Sequence, residues 1–160
     1  MGRRTSQDNL IKLSRGKTSV RLWLRMLSCE VLIERRLRIL FKKTFDVTLP
    51  QFDVLAELEH AGKKLTMSQL SKELMVSNGN VTGIVDRLEK NSFISRSRPS
   101  HDRRVQFIEL TMTGEREFKR MAARHEEWQS EYFSGLSVED MNELQLLLVK
   151  VRESILSARK

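Results

Sequence analysis

The stretch VSNGNVTGIVDRLEKN, residues 76–91, decides how the chain is read. Val81, Ile84, Val85 and Leu88 recur at helical spacing and form one apolar stripe. Directly opposite lie Gly79, Gly83, Asp86 and Lys90, flanked by Asn80, Thr82 and Arg87. Glycine in an exposed helix interior costs about 1 kcal/mol relative to alanine, and here that cost falls twice on one face. An outer face with so little bulk suits a helix pressed into a DNA major groove. Asn80 and Thr82 are of the right type to reach base edges there. The free N–H groups at the helix start would face phosphate, and Arg87 and Lys90 would meet the backbone further along. A solvated helix with two tolerated glycines is the alternative, and taken alone the stretch leaves the two readings even.

The sequence around it breaks the tie. Upstream, TMSQLSKEL, residues 66–74, opens with a Thr66–Gln69 capping box and places Met67, Leu70 and Leu74 on one face. Residues 75–77 link it to the opening stretch, with Ser77 a good N-cap. Two short helices about a tight turn form a helix-turn-helix pattern. Downstream, FISRSR (residues 93–98) and VQFIEL (105–110) read as strands about the turn cluster Pro99, Ser100, His101 and Asp102. A hairpin directly after a helix-turn-helix is a wing.

Further out the pattern is helical. TLPQFDVLAELEHAG, residues 48–62, starts with a Thr48–Gln51 capping box and Pro50 in its first turn, and stops at Gly62. Residues 20–45 form an earlier helix whose apolar side chains, between 22 and 33, reach around more than one face, which predicts burial between other elements. From Thr113 onward Phe118, Met121, Ala122, His125, Trp128 and Tyr132 trace one side of a helix, and Gly135 interrupts it. Ser137 and Asp140 start a last helix carrying Met141, Leu144, Leu148, Val151 and Ile155. The expected fold is mainly α with a small β-wing, a winged helix-turn-helix over residues 47–112 between helical regions at 18–46 and 113–160.

Charge narrows the partners. The 160 residues hold 29 Lys and Arg against 21 Asp and Glu, a net charge of +8, which points to nucleic acid or an acidic surface. Much of the excess lies near the start, where Arg3, Arg4, Lys12, Arg15, Lys17, Arg21 and Arg25 face only Asp8. Residues 1–17 therefore read as a basic arm, disordered over its first dozen residues and able to add sequence-independent affinity for double-stranded DNA. The hydrophobic fraction, 39%, is slightly low for a self-contained globule and fits burial against a second copy. A single cysteine, Cys29, permits no internal disulfide, and a cytoplasmic protein is the default. No apolar run reaches membrane-spanning length, so no membrane partner is expected. His60, His101 and His125 are scattered, and no nucleophile motif, phosphate loop or metal-ligand pairing accompanies them. Catalytic residues, metal and cofactors are accordingly expected to be absent.

The segment DRRVQFIELTMTG, residues 102–114, matches D-x-R-x5-L-T-x-x-G through Asp102, Arg104, Leu110, Thr111 and Gly114. It resembles the wing motif of the MarR family of bacterial transcriptional regulators, and the opening stretch resembles that family's recognition helix. The resemblance covers nearly the whole chain from about Val20 and implies a homodimer, paired through its first and last two helices, on an inverted-repeat operator that it usually represses. It implies that Arg104 enters the minor groove at the wing tip, held by Asp102, with Arg103 a second groove or phosphate contact. The expected DNA-contacting set is Ser77, Asn78, Gly79, Asn80, Thr82, Gly83, Arg87, Arg98, Asp102, Arg103 and Arg104. One departure is that Met75 and Val76 stand where the family's turn carries a glycine.

RLWLRMLSC, LPQFDVLAEL and MVSNGNVTG further look like regulators of aromatic-acid breakdown, some of which respond to an aromatic acyl-CoA thioester. That likeness implies a small aromatic acid or its CoA thioester as effector, with Arg21, Trp23, Arg25, Leu27, Phe52 and His60 as pocket candidates. Some relatives instead sense peroxide through a cysteine in the first helix, where Cys29 lies beside Glu30. A redox-sensing repressor is thus the alternative, although a small buried apolar role suits Cys29 better.

Overall fold

The structure, a computed structural model, describes residues 3–74, 78–98 and 105–158. In chain order the elements are α1 (Arg3–Phe45), α2 (Leu49–Ala61), β1 (Leu65–Thr66), α3 (Met67–Glu73), α4 (Asn78–Lys90), β2 (Ile94–Ser97), β3 (Phe107–Leu110), α5 (Met112–Tyr132) and α6 (Val138–Ser157). The chain divides into two compact units, Met1–Lys119 and Arg120–Lys160. The first is a winged helix-turn-helix, as the pattern predicts.

Its core grows from aromatic stacking. Phe41 of α1 lies 4.5 Å from Phe52 of α2, centroid to centroid, and Phe52 stacks on Phe118 of α5 at 5.7 Å. Val54, Leu55, Leu70, Val81, Val85, Leu88 and Ile108 complete the interior, each fully buried. The helix starts follow the sequence. Gln51 Oε1 accepts from the Thr48 N–H at 2.8 Å, and Gln69 Oε1 accepts from the Thr66 N–H at 2.9 Å. Thr66 Oγ1 accepts in return from the Gln69 N–H at 3.2 Å. The Thr48 hydroxyl also donates to Gln51 Oε1 at 3.1 Å, and the Thr48–Gln51 capping box forms as the sequence predicts.

The sheet has three strands in the order β1-β3-β2, all antiparallel, where the sequence suggests only a hairpin. The added strand is just Leu65–Thr66, paired to Ile108 and Phe107, and two residues are too few to display an alternating pattern. In the hairpin Ile94 faces Leu110 and Arg96 faces Ile108.

Five hydrogen bonds and a missing side chain lock the wing to α4 and α5. Helix α4 ends in a Schellman motif: the Ser92 N–H reaches Glu89 O at 2.8 Å and the Phe93 N–H reaches Leu88 O at 3.0 Å. Ser92 takes the left-handed conformation that this motif demands, φ 59°. Thr111 then holds the turn, its hydroxyl donating to Ser92 O at 2.7 Å and its N–H to Phe93 O at 3.1 Å. The same hydroxyl accepts from the Gly114 N–H at 3.0 Å and so caps α5. A Cβ on Gly114 would lie 1.8 Å from Phe93 O. The T-x-x-G spacing is therefore a joint: threonine binds the turn and glycine leaves room for it.

Helix α1 departs from expectation twice. It is continuous from Arg3, so the disordered basic arm gives way to helix; no proline precedes Pro50 to stop it. Its apolar middle is not buried between elements of its own chain, since Trp23 is 58% exposed and Leu22, Leu24, Leu27, Val31 and Leu32 are exposed as well. At 43 residues the helix outruns the body it packs on, and burial begins only at Leu37. Cys29 is also exposed, not buried as a small core residue.

In the second unit Met121 and Trp128 are buried, with the Arg124 guanidinium 5.7 Å from the Trp128 ring centre. Helix α6 opens with the expected Ser137–Asp140 box, and none of its described residues is buried. Burial lowers the pKa of His125, whose Nε2 lies 3.0 Å from Gln129 Nε2.

Two substitutions test this packing. Gly114→Ala should destabilise the fold by about 3 kcal/mol, because backbone must move to admit the methyl group; urea denaturation measures it. Asp53 of α2 has its pKa pushed up from 3.8 to about 6 by desolvation and by Glu34, while Arg38 pulls it down. Its folded form thus holds the proton more tightly than its unfolded form, and stability falls as pH rises from about 4 to 6. Asp53→Asn should raise the melting temperature at pH 7.5 by about 3 °C at most, since its side chain keeps contact with solvent, and leave it unchanged near pH 4.

Candidate nucleic-acid interface

Helix α4 has two faces of opposite character. Val81, Val85 and Leu88 are fully buried and Ile84 half-buried, which fixes the helix on the winged core. Gly79, Asn80, Thr82, Gly83, Asp86, Arg87 and Lys90 are all exposed. A Cβ built on Gly79 or Gly83 would meet nothing within 4 Å. Among the described residues no packing requires either glycine, although each weakens the helix relative to alanine. The outer face is flat and open at its N-terminal half.

Basic groups frame that face. Arg87 and Lys90 stand on the last turn of α4, where cations oppose the negative end of the helix dipole. Arg98 is exposed just beyond the end of β2. Ser77 and the wing-tip residues Asp102, Arg103 and Arg104 lie outside the described residues, as do Met75 and Val76; of Asn78, the first residue of α4, only the backbone is described.

Arg96 makes a cross-element contact that the sequence pattern did not single out. From β2 it pairs through Nη2 with Asp86 Oδ1 on α4, and its Nε lies 3.2 Å from Glu89 Oε2 in an ion pair without hydrogen-bond geometry. Its side chain is only 18% exposed. The available signal was the strand period: Arg96 shares a face with Ile94, which is buried, so an arginine points inward and needs partners.

The effector candidates are not gathered in one chain. Phe52 is buried in the Phe41–Phe118 stack, and His60 is exposed near the end of α2. Arg21, Trp23, Arg25 and Leu27 are exposed along α1. Trp23 precedes Phe41 by eighteen positions, about 27 Å along a helix rising roughly 1.5 Å per residue. It cannot share a pocket with Phe52 in the same subunit. A surface groove of about 460 Å³ opens elsewhere, between the end of α2 and β3, lined by Glu59, Lys63, Lys64, Glu109 and Glu115 among others.

A helix-turn-helix with a glycine-faced second helix and an adjoining wing defines a winged-helix DNA-binding protein. The sequence model of the MarR family matches residues 47–105. The HTH-type transcriptional regulator PecS of Dickeya dadantii is 31% identical over 131 residues, covering 81% of this chain and 78% of its own. A MarR family transcriptional regulator from Silicibacter pomeroyi superposes with a TM-score of 0.76 at 30% identity, over 88% of this chain and 97% of its own. Streptococcus pneumoniae FabT, solved in complex with DNA, shares the fold with a TM-score of 0.71 at 23% identity, over 88% and 99% of the two chains. The chain belongs to the MarR family and is a DNA-binding transcriptional regulator.

Gly83→Ala separates the needs of the fold from those of the interface. The free protein should gain up to about 1 kcal/mol of stability by chemical denaturation. Its affinity for a preferred duplex should fall about tenfold, the order of one mismatched base pair, in a fluorescence anisotropy titration.

Proposed function

We propose that this protein is a repressor that binds an inverted-repeat operator as a homodimer and leaves it when a small aromatic effector binds. The observation that carries the reading is the exposed face of α4, where a Cβ on Gly79 or Gly83 would meet nothing among the described residues, yet both lie among groups suited to bases and phosphates. The complex of FabT with DNA supports the mode of binding. Dimerisation is supported by apolar side chains left in water: Trp23, Leu24 and Val31 on α1, and Leu144, Leu148 and Ile155 on α6.

In this reading α4 enters the major groove, with Asn80 and Thr82 on base edges and Arg87 and Arg98 on phosphates. Arg104 reaches into the minor groove from the wing tip, with Asp102 orienting it and Arg103 on a second contact. Two such helices, related by the dimer axis, meet half-sites about 34 Å apart. The effector is an aromatic acid or its CoA thioester, a class supported by the sequence likeness of α1, α2 and α4. A coupling of about 1–3 kcal/mol between effector and DNA suffices to switch occupancy. The protein acts in the cytoplasm; among the described residues no helix is long and apolar enough to cross a membrane.

Selection from a random duplex pool, followed by titration, tests the reading. The selected sequence should be an inverted repeat bound by two chains, preferred over random duplex by about 10³ or more, and released by one member of a panel of aromatic acids and CoA thioesters. Binding without sequence preference would reduce the protein to a general DNA binder. Release by peroxide, abolished by Cys29→Ser, would reassign the trigger to the exposed thiol.

A further inference from the structure

Asp86 poses a problem for a helix that meets DNA. It lies one turn beyond Gly83 on the same outer face, where a carboxylate would confront the phosphate backbone. Glu89 follows three positions later. Both carboxylates are substantially open to solvent, Asp86 at 57% and Glu89 at 45%, and both converge on the one mostly buried guanidinium of Arg96.

We propose that Arg96 is a positioning residue for DNA binding, fixing strand β2 of the wing against α4 through Asp86 and Glu89 while masking both carboxylates from the DNA backbone. The inference rests on the DNA-binding reading above. Exposed ion pairs within one helix add little, but this one joins two elements, and its arginine is largely withdrawn from water. Breaking it leaves a mostly buried guanidinium without the two carboxylates that offset its desolvation. A planar guanidinium meets two carboxylates on one helix at once; an ammonium is a single point charge. The geometry matters because α4 and the wing would address neighbouring grooves, and their offset must be set before contact. Arg98, exposed just beyond the end of that strand, takes its position from the clamped β2. Thr111 and Gly114 fix the wing at its base, and Arg96 fixes it halfway along β2.

The test uses the full-length protein and a duplex selected by the wild type, with a scrambled duplex as reference, at several salt concentrations. Arg96→Ala should lose on the order of tenfold of the preference for selected over scrambled duplex. Asp86→Asn combined with Glu89→Gln should bind both duplexes more tightly, having lost two negative charges, yet lose a similar factor of preference. Adding Arg96→Ala to that pair should cause no further loss of preference. A purely structural role would lower the melting temperature and leave the preference of the folded fraction unchanged. Should Arg96→Ala fail to fold, the exposed Asp86→Asn/Glu89→Gln pair decides alone, and a wild-type preference in that variant overturns the proposal. A wild type that selects no duplex overturns the DNA reading and the clamp together; a selective wild type with equally selective variants overturns the clamp only.

Discussion

The joint at Thr111 is the constraint on which the winged unit depends. One hydroxyl donates to the carbonyl of Ser92 and accepts from the N–H of Gly114, so a single side chain caps α5 and holds the turn after α4. The left-handed Ser92 costs energy that only a well-bonded turn offsets. The absent side chain at Gly114 lets the Phe93 carbonyl approach the first turn of α5. Through this joint the wing, the second helix of the helix-turn-helix and the start of α5 share one set of hydrogen bonds. A displacement of the first turn of α5 must be felt at the end of α4.

Around that joint the charges form two kinds of pair, within one helix and between elements. Ion pairs such as Arg38–Glu34 and Arg124–Glu127 run along single helices and add the small increments usual for such pairs. Arg96 differs because it crosses from strand to helix and is mostly buried. On α4 the acidic groups have a partner within the protein, while Arg87 and Lys90 stand exposed on the last turn. The face offered to the outside is thus flat at its start and positive at its end, the profile a polyanion requires.

The two units share an unsatisfied need. In the first, the middle of α1 presents tryptophan and leucine to water; in the second, α6 leaves Leu144, Leu146, Leu147 and Leu148 exposed. Apolar area of this extent favours association, since each buried side chain contributes about 1.5–3 kcal/mol. In both units, apolar side chains on long helices stay open to water in the lone chain.

The sequence by itself determined the order of the helices and the hairpin, the starts of α2, α3 and α6, and which face of α4 is buried. Those features follow from local rules: capping residues at Thr66 and Ser137, and a 3.6-residue period at Val81, Val85 and Leu88. It also displayed Thr111 and Gly114 as a motif, without the reason for it. Only the tertiary structure decided what those two residues do, that Leu65–Thr66 completes the sheet, that Arg96 answers Asp86 and Glu89, and that Trp23 stands far from Phe52. Each is a contact or a distance between residues far apart in the chain, and periodicity records which way a side chain faces, not what it finds there.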